Sequence, residues 1–307
     1  MLSKILGTTT TSPATPTTRL LLFITLCAAL TLSLSNAIYL VIKHAWSDER
    51  YSYILAVPLV AFALVFIRRN RIFESANFDP RLGGLICTTA LATGIFSTGP
   101  WRPDLTLASA GFAAALLGIG AFTTVYGRQA AWSARFPLLL MLLAIPIPIP
   151  VLEAVEVFLQ RSSADVTGAL LALTDVPMFR DGERFLLPGI SVEVARECSG
   201  IRSCIALVIF TLALSHLFLR SSVNRVFLVL LAVAAAIFKN GVRIATLSWL
   251  SVNVSTEYLE GSLHHSGGPL FSLIGIATLV PFFFVLHRLE ERRQKSIAIL
   301  PGRRQSA

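Results

Sequence analysis

Charge is scarce in this chain. Asp, Glu, Lys and Arg supply only 14% of its residues, against about 25% in soluble domains. With 54% hydrophobic residues and a mean hydropathy of +0.71, there is too little polar surface to clothe a water-soluble fold of this length. Cysteine is sparse too. Of the four, Cys27 and Cys87 fall inside apolar runs, where a free thiol packs as a small hydrophobe. Cys198 and Cys204 are the only pair close in sequence, and their spacing fits neither a zinc site nor a CxxC motif. A disulfide framework is therefore not expected. There is no HExxH, and adjacent histidines alone make a poor chelate, so no metal and no cofactor are expected. The net charge of +9 comes from basic residues at the ends of apolar runs, not along a polar face. Nucleic acid is accordingly not an expected partner.

What the chain has instead is long apolar runs. They lie at about 20–41, 53–67, 82–97, 105–125, 136–159, 201–219, 226–250 and 269–286. A bilayer core about 30 Å thick needs roughly 20 such residues per helix. The expected fold is an all-α polytopic membrane protein with about eight transmembrane helices and the lipid bilayer as its solvent. Residues 1–18, rich in Thr, Ser and Pro, read as a disordered leader, 19–287 as the membrane domain and 288–307 as a basic tail. The first run is too long for a signal-peptide core and reads as a retained span. The proline-rich stretch from Ile145 to Pro150 should kink the fifth run, because each interior proline removes a backbone donor.

Charge asymmetry sets an orientation. With alternate loops on opposite sides, sixteen of the 26 Lys and Arg fall on the side of both termini, together with four of the 17 acidic residues. By the positive-inside rule both termini are cytoplasmic, in a plasma (inner) membrane, and the other loops face the external or periplasmic side. The longest of these, 160–199, is more than a linker. Ala164 to Leu173 has helical spacing, Arg180-Asp181-Gly182-Glu183 is a turn signal between apolar triplets, and Ile190 to Val194 alternates. The pattern predicts a small hairpin-like cap.

Three motifs on that external face carry chemistry. Glu197-Cys198-Ser199-Gly200-Ile201-Arg202-Ser203 places a thiol at a helix N-terminus, whose partial positive charge favours the thiolate. Arg202 adds positive charge there and Glu197 opposes it. Asn240-Gly241-Val242-Arg243-Ile244 places a guanidinium near membrane depth, where such groups usually face the bundle interior, although Lys239 and Arg243 also suit snorkelling to the interface. Ser262 to Pro269 contains His264 and His265, either of which suits a base for a thiol nucleophile. A nucleophile, a fixed cation and a base on one face make the role list for acyl transfer.

Taken in order, ECSGIRS, NGVRI and HHSGGPLF, set among these hydrophobic spans, make the chain resemble the exosortase and archaeosortase family of membrane-embedded cysteine transpeptidases. The resemblance implies cleavage of a C-terminal sorting signal of the Pro-Glu-Pro (PEP-CTERM) type on membrane-anchored precursors of secreted proteins. Transfer to a surface acceptor, an exopolysaccharide or a lipid, would follow. It further implies Cys198 as nucleophile, Arg243 as the stabilising cation and His264 as acid and base, with His265 a close alternative; Glu197, Arg202 and Asn240 would support or bind substrate. Two other readings stay open from sequence. One is a metal-dependent membrane peptidase using the histidines. The other is a transporter or assembly subunit of surface-polysaccharide export, with Arg243 and the histidines lining a solute path.

Overall fold

The computed structural model describes residues 15–255 and 268–299. His264 and His265, most of the expected leader and the end of the expected tail lie outside the described residues. Each of the eight apolar runs folds as helix, and the chain divides into two compact units, 1–147 and 148–307. Among the described residues six helices are long and apolar enough to cross a bilayer, or seven if the broken pair Arg135–Ala144 and Ile149–Leu171 counts as one span. The multi-pass helical architecture is as expected, with six or seven spans in place of about eight. The difference lies in the third run, whose 17-residue helix is about 25 Å long and falls short of a typical hydrocarbon core.

In the first unit, α1 (Pro16–Ser33) and α2 (Ser35–Ser47) share the first apolar run, separated at Leu34. They are followed by α3 (Tyr53–Ile67), α4 (Arg69–Phe73), α5 (Pro80–Phe96), α6 (Pro103–Ser133) and α7 (Arg135–Leu140). Helix α5 buries Gly83, Cys87, Ala90 and Gly94, a row of small residues at spacings of four, three and four. In lipid no hydrophobic force drives helices together, so such rows matter because they let backbones approach and pack. The row lies against α6, and Cys87 joins Leu30, Leu34, Ala113 and Leu117 in one cluster, with Cys27 packed on it. Both thiols fill space, as expected.

In the second unit, α8 (Ile149–Leu171) leads into a three-stranded antiparallel sheet, then α9 (Ile201–Phe218), α10 (Ser222–Asn253) and α11 (Gly268–Ile299). The helical run breaks at Pro146 and Pro148, where the kink is expected, but α8 then continues without interruption across Leu159 and Gln160. The expected loop of 160–199 therefore begins as helix and leaves it only after Leu171. The cause is visible in the sequence: Leu152, Glu156, Leu159, Ser163, Thr167 and Leu171 keep a helical period, and all six are buried.

The sheet is the expected cap with one strand more. β1 (Phe179–Asp181), β2 (Arg184–Leu187) and β3 (Ile190–Glu193) form a meander joined by two-residue turns at Gly182-Glu183 and Pro188-Gly189. Register follows the alternation of the strands. Phe185 and Leu187 on β2, Val192 on β3 and Val194 beyond it point inward, while Arg184 pairs across the strands with Glu193 on the outer face. The inner face packs on Ala164 and Leu171 of α8 and on Ile244 and Ala245 of α10. Polar ties add to this: Gln160 Nε2 donates to the Val194 carbonyl at 2.6 Å and Arg180 pairs with Asp165 at 2.7 Å.

Phe185 is the centre of that contact, with no exposed surface. Phe185→Ala is expected to cost about 3 to 5 kcal/mol, the usual range for emptying a buried aromatic site. In detergent-purified protein the change should lower the thermal midpoint and open the 176–194 segment to protease. Protease resistance equal to that of the parent would show that the sheet does not depend on this ring.

Candidate active site

Cys198 closes a short 3-10 turn, Arg196–Cys198, immediately before α9. Its backbone N–H donates to the Ala195 carbonyl at 2.9 Å and that of Ser199 to the Arg196 carbonyl at 3.0 Å. Gly200 then turns the chain into the helix with a φ of +77°, a left-handed value that disfavours any residue with a Cβ. A Cβ there would also meet the Asn240 amide carbon at 3.0 Å. The Cys-Ser-Gly order is thus a local necessity as well as a chemical one: Gly200 makes the turn that leaves the half-buried thiol residue at the mouth of α9.

The turn is braced from α10. Asn240, 1% exposed, uses both hydrogens of Nδ2, one on the Cys198 backbone carbonyl at 2.8 Å and one on Ser163 Oγ of α8 at 3.1 Å. Gly241 lets the two helices come this close, since a Cβ there would collide with Val166 and press on the Ser163 carbonyl. Thr167 lies on the same seam, its hydroxyl donating to the Ser163 carbonyl at 2.8 Å and reaching the Gly241 carbonyl at 3.4 Å. The preceding residue, Lys239, reaches the other end of the motif. Its Nζ donates to Ser203 Oγ at 2.6 Å, and Ser203 in turn donates to the Gly200 carbonyl at 2.9 Å. Two consecutive side chains of α10 therefore hold the first and last parts of the Cys198–Ser203 segment.

The structure brings together two of the three motifs singled out in the sequence. Arg243 lies one helical turn beyond Asn240, half-buried, and the sheet packs directly on Ile244 and Ala245 beside it. Arg202 is exposed on the first turn of α9, and both guanidinium groups are near enough for their charge to act on Lys239. Glu197 belongs to the same 3-10 turn as Cys198. His264 and His265 lie outside the described residues.

Sequence reasoning missed two contributors, Ser163 and Thr167. Both lie in the expected external connection, Thr167 in its part with helical spacing and Ser163 just before it, and both are buried. Their 3- and 4-residue spacing through Gln160 is the signal, a polar stripe on one face of an apolar helix. The snorkelling alternative for Lys239 also fails. Only 5% of its surface is exposed, and its ammonium is held inside the helix bundle by Ser203.

Fold and site together define a multi-pass membrane protein in which a thiol-bearing turn is fastened to a neighbouring span by buried polar side chains. The transmembrane exosortase family model matches residues 45–281, and the chain belongs to that family. No curated protein and no solved structure matches it.

Losing the Asn240 amide leaves the part-buried Cys198 carbonyl without its donor, a penalty of about 1 to 3 kcal/mol. Asn240→Ala is therefore expected to lower the thermal midpoint and to raise the rate at which a maleimide labels Cys198, measured in a Cys27, Cys87 and Cys204 serine background. Labelling at the parent rate would show that the turn is held without this bond.

Proposed function

We propose that this chain is a membrane-embedded cysteine transpeptidase that cleaves a C-terminal sorting signal from exported, membrane-anchored precursors and passes the new carboxyl end to a surface acceptor. One observation carries the reading. The amide of Asn240 holds the carbonyl of Cys198, which sets the thiol residue against the turn of α10 that carries Arg243. Family membership supports it, and so does the site, a thiol residue at a helix entrance with a small sheet packed on the α10 residues next to Arg243.

In the proposed reaction the Cys198 thiolate adds to the scissile carbonyl carbon, and the carbonyl π electrons move onto oxygen. Arg243, always charged and rich in donors, stabilises the thiolate beforehand and the oxyanion afterwards. Collapse of the tetrahedral species breaks the C–N bond, and the departing amine of the signal fragment takes a proton from His264, or from His265 in its place. A thioester is left on Cys198. An acceptor amine, or water, gives a proton to the imidazole as it attacks, and the thiolate leaves. The sheet packed beside Arg243 shields the thioester, and Glu197 and Arg202, which flank the thiol in sequence, meet the substrate. The charge asymmetry of the loops, counted with all eight apolar runs as crossings, supports a site on the external face of the plasma membrane with both termini in the cytoplasm.

Cys198→Ala is expected to abolish both processing of a reporter ending in the cognate signal and the capture of that reporter as a thioester. Arg243→Ala should leave the protein folded but slow processing by at least about a hundredfold, since one oxyanion donor is usually worth about 3 to 4 kcal/mol. Both are read by the ratio of precursor to processed reporter in cells. Processing that persists in the Cys198→Ala strain would rule out the thiol mechanism.

A further inference from the structure

Below the braced turn, two cavities follow one another along α9 and α11. The first, about 250 Å³, is bounded by Ser203, Lys239 and Ser272 at one end and by Leu207, Phe210 and Ile276 at the other. The second, about 230 Å³, shares Phe210 and Ile276 with it and continues among Leu214, Leu279 and Phe283. Each exceeds the cavity of about 150 Å³ that accommodates benzene in a protein interior. Phe210 and Ile276, at the junction, are 48% and 36% exposed, so the junction opens sideways toward where the lipid lies. The pair forms a crevice that is apolar over most of its length and polar at one end.

Among the described residues no opposite charge pairs with the cation at the polar end. The Lys239 stem runs past Gly275 of α11, where an added Cβ would just touch its Cγ and Cδ, and the ammonium ends on α9 at Ser203. An ammonium has three donors, and among the described residues Ser203 is the only hydrogen-bond partner of this one. No carboxylate among the described residues forms an ion pair with it, and the charges that act on it from Arg202 and Arg243 are of its own sign. Burying a cation in this way costs several kcal/mol unless something compensates, and an ionisable side chain inside a membrane usually marks a ligand path.

We propose that this crevice binds an anionic amphiphile, a phosphate or carboxylate head on an apolar chain. The head accepts from Lys239 Nζ and from the hydroxyls of Ser203 and Ser272, and the chain lies between α9 and α11 past Phe210 and Ile276. The inference stands on the crevice and its buried cation and is independent of the thiol chemistry. A neutral chain fills the apolar part equally well but leaves the ammonium uncompensated, so binding must depend on head charge. An anion without a chain gains nothing from the 230 Å³ section.

The test uses the full chain, purified in maltoside detergent and stripped of lipid, with affinity read from thermal stabilisation against ligand concentration. Dodecyl phosphate is expected to bind at least tenfold more tightly than dodecanol or inorganic phosphate. Lys239→Gln should bring dodecyl phosphate down to the dodecanol level while leaving dodecanol unchanged. Ile276→Trp, which blocks the junction and leaves Lys239 in place, should weaken both chain-bearing probes. It decides the matter if Lys239→Gln does not fold. Displacement of dodecyl phosphate by phosphatidylglycerol, and not by phosphatidylcholine, would identify a bilayer lipid as the occupant. Displacement by neither would identify a single-chain amphiphile, and both results support the site. Equal affinity for dodecyl phosphate and dodecanol, inorganic phosphate binding as well as dodecyl phosphate, or insensitivity of folded variants to either substitution would overturn it.

Discussion

The site depends on one side-chain amide. Asn240 sits where α8, α10 and the entrance to α9 meet, and its two N–H groups end on a backbone carbonyl from one neighbour and a hydroxyl from the other. In a medium with little water a carbonyl without a donor costs far more than the same group in solvent. The bond therefore fixes the distance between the thiol's turn and the α10 backbone. The glycines on each side follow from it. Gly200 makes room for the amide and Gly241 lets α8 come near enough to offer Ser163. Neither Asn240 nor these glycines reacts with anything, yet the separation of Cys198 from the turn carrying Arg243 is set by them.

Lys239 poses the opposite energetic problem. Asn240 is neutral and both of its donors are used, so its burial costs less than that of an ion. An ammonium that has one hydroxyl partner among the described residues, and the guanidinium groups of Arg202 and Arg243 nearby, gains no such balance from them. A chain with only 14% charged residues can place its cations at helix ends, where most of the Lys and Arg are found. Retaining one inside the bundle, on the residue next to the amide that braces the thiol's turn, is consistent with the cation answering to a ligand and not to the fold. The aliphatic stem supports this view. It runs past Gly275, which carries no side chain to block it, and delivers the charge to the one polar end of an otherwise apolar crevice.

The helices are legible in the sequence because hydropathy reports burial in lipid directly, and all eight apolar runs became helix. Their ends are less legible. Leu34 divides the first run and the third stops short, because a change from apolar to polar residues marks a membrane boundary only where a helix crosses it squarely. The sheet was readable from alternation and turn residues, since one face had to be buried. Cys198, Arg202, Asn240 and Arg243 stand out because polar residues inside apolar stretches need a reason. What sequence concealed was the partnership. That Asn240 would hold a backbone carbonyl, or that Ser163 would take its other hydrogen, depends on α8 continuing past Gln160, and this was hidden by reading the polar stripe of α8 as the start of a loop.

Two polar atoms close to the thiol's turn have no hydrogen-bond partner among the described residues: Ser199 Oγ, on a residue 2% exposed, and Asn240 Oδ1. Reversing the amide does not remove the difficulty. It would aim Oδ1 at the Cys198 carbonyl, acceptor against acceptor, and so the orientation with Nδ2 on that carbonyl is required by its neighbours. The orphan oxygen is then a consequence of the brace. A fold that spends both amide donors on holding a turn, and leaves the matching acceptor unused beside it, has given up stability at the point where position matters most. Unsatisfied buried groups are rare in native proteins and gather where geometry serves chemistry. Their presence next to Cys198, where two of the three motifs meet, is a cost that the brace imposes on the turn.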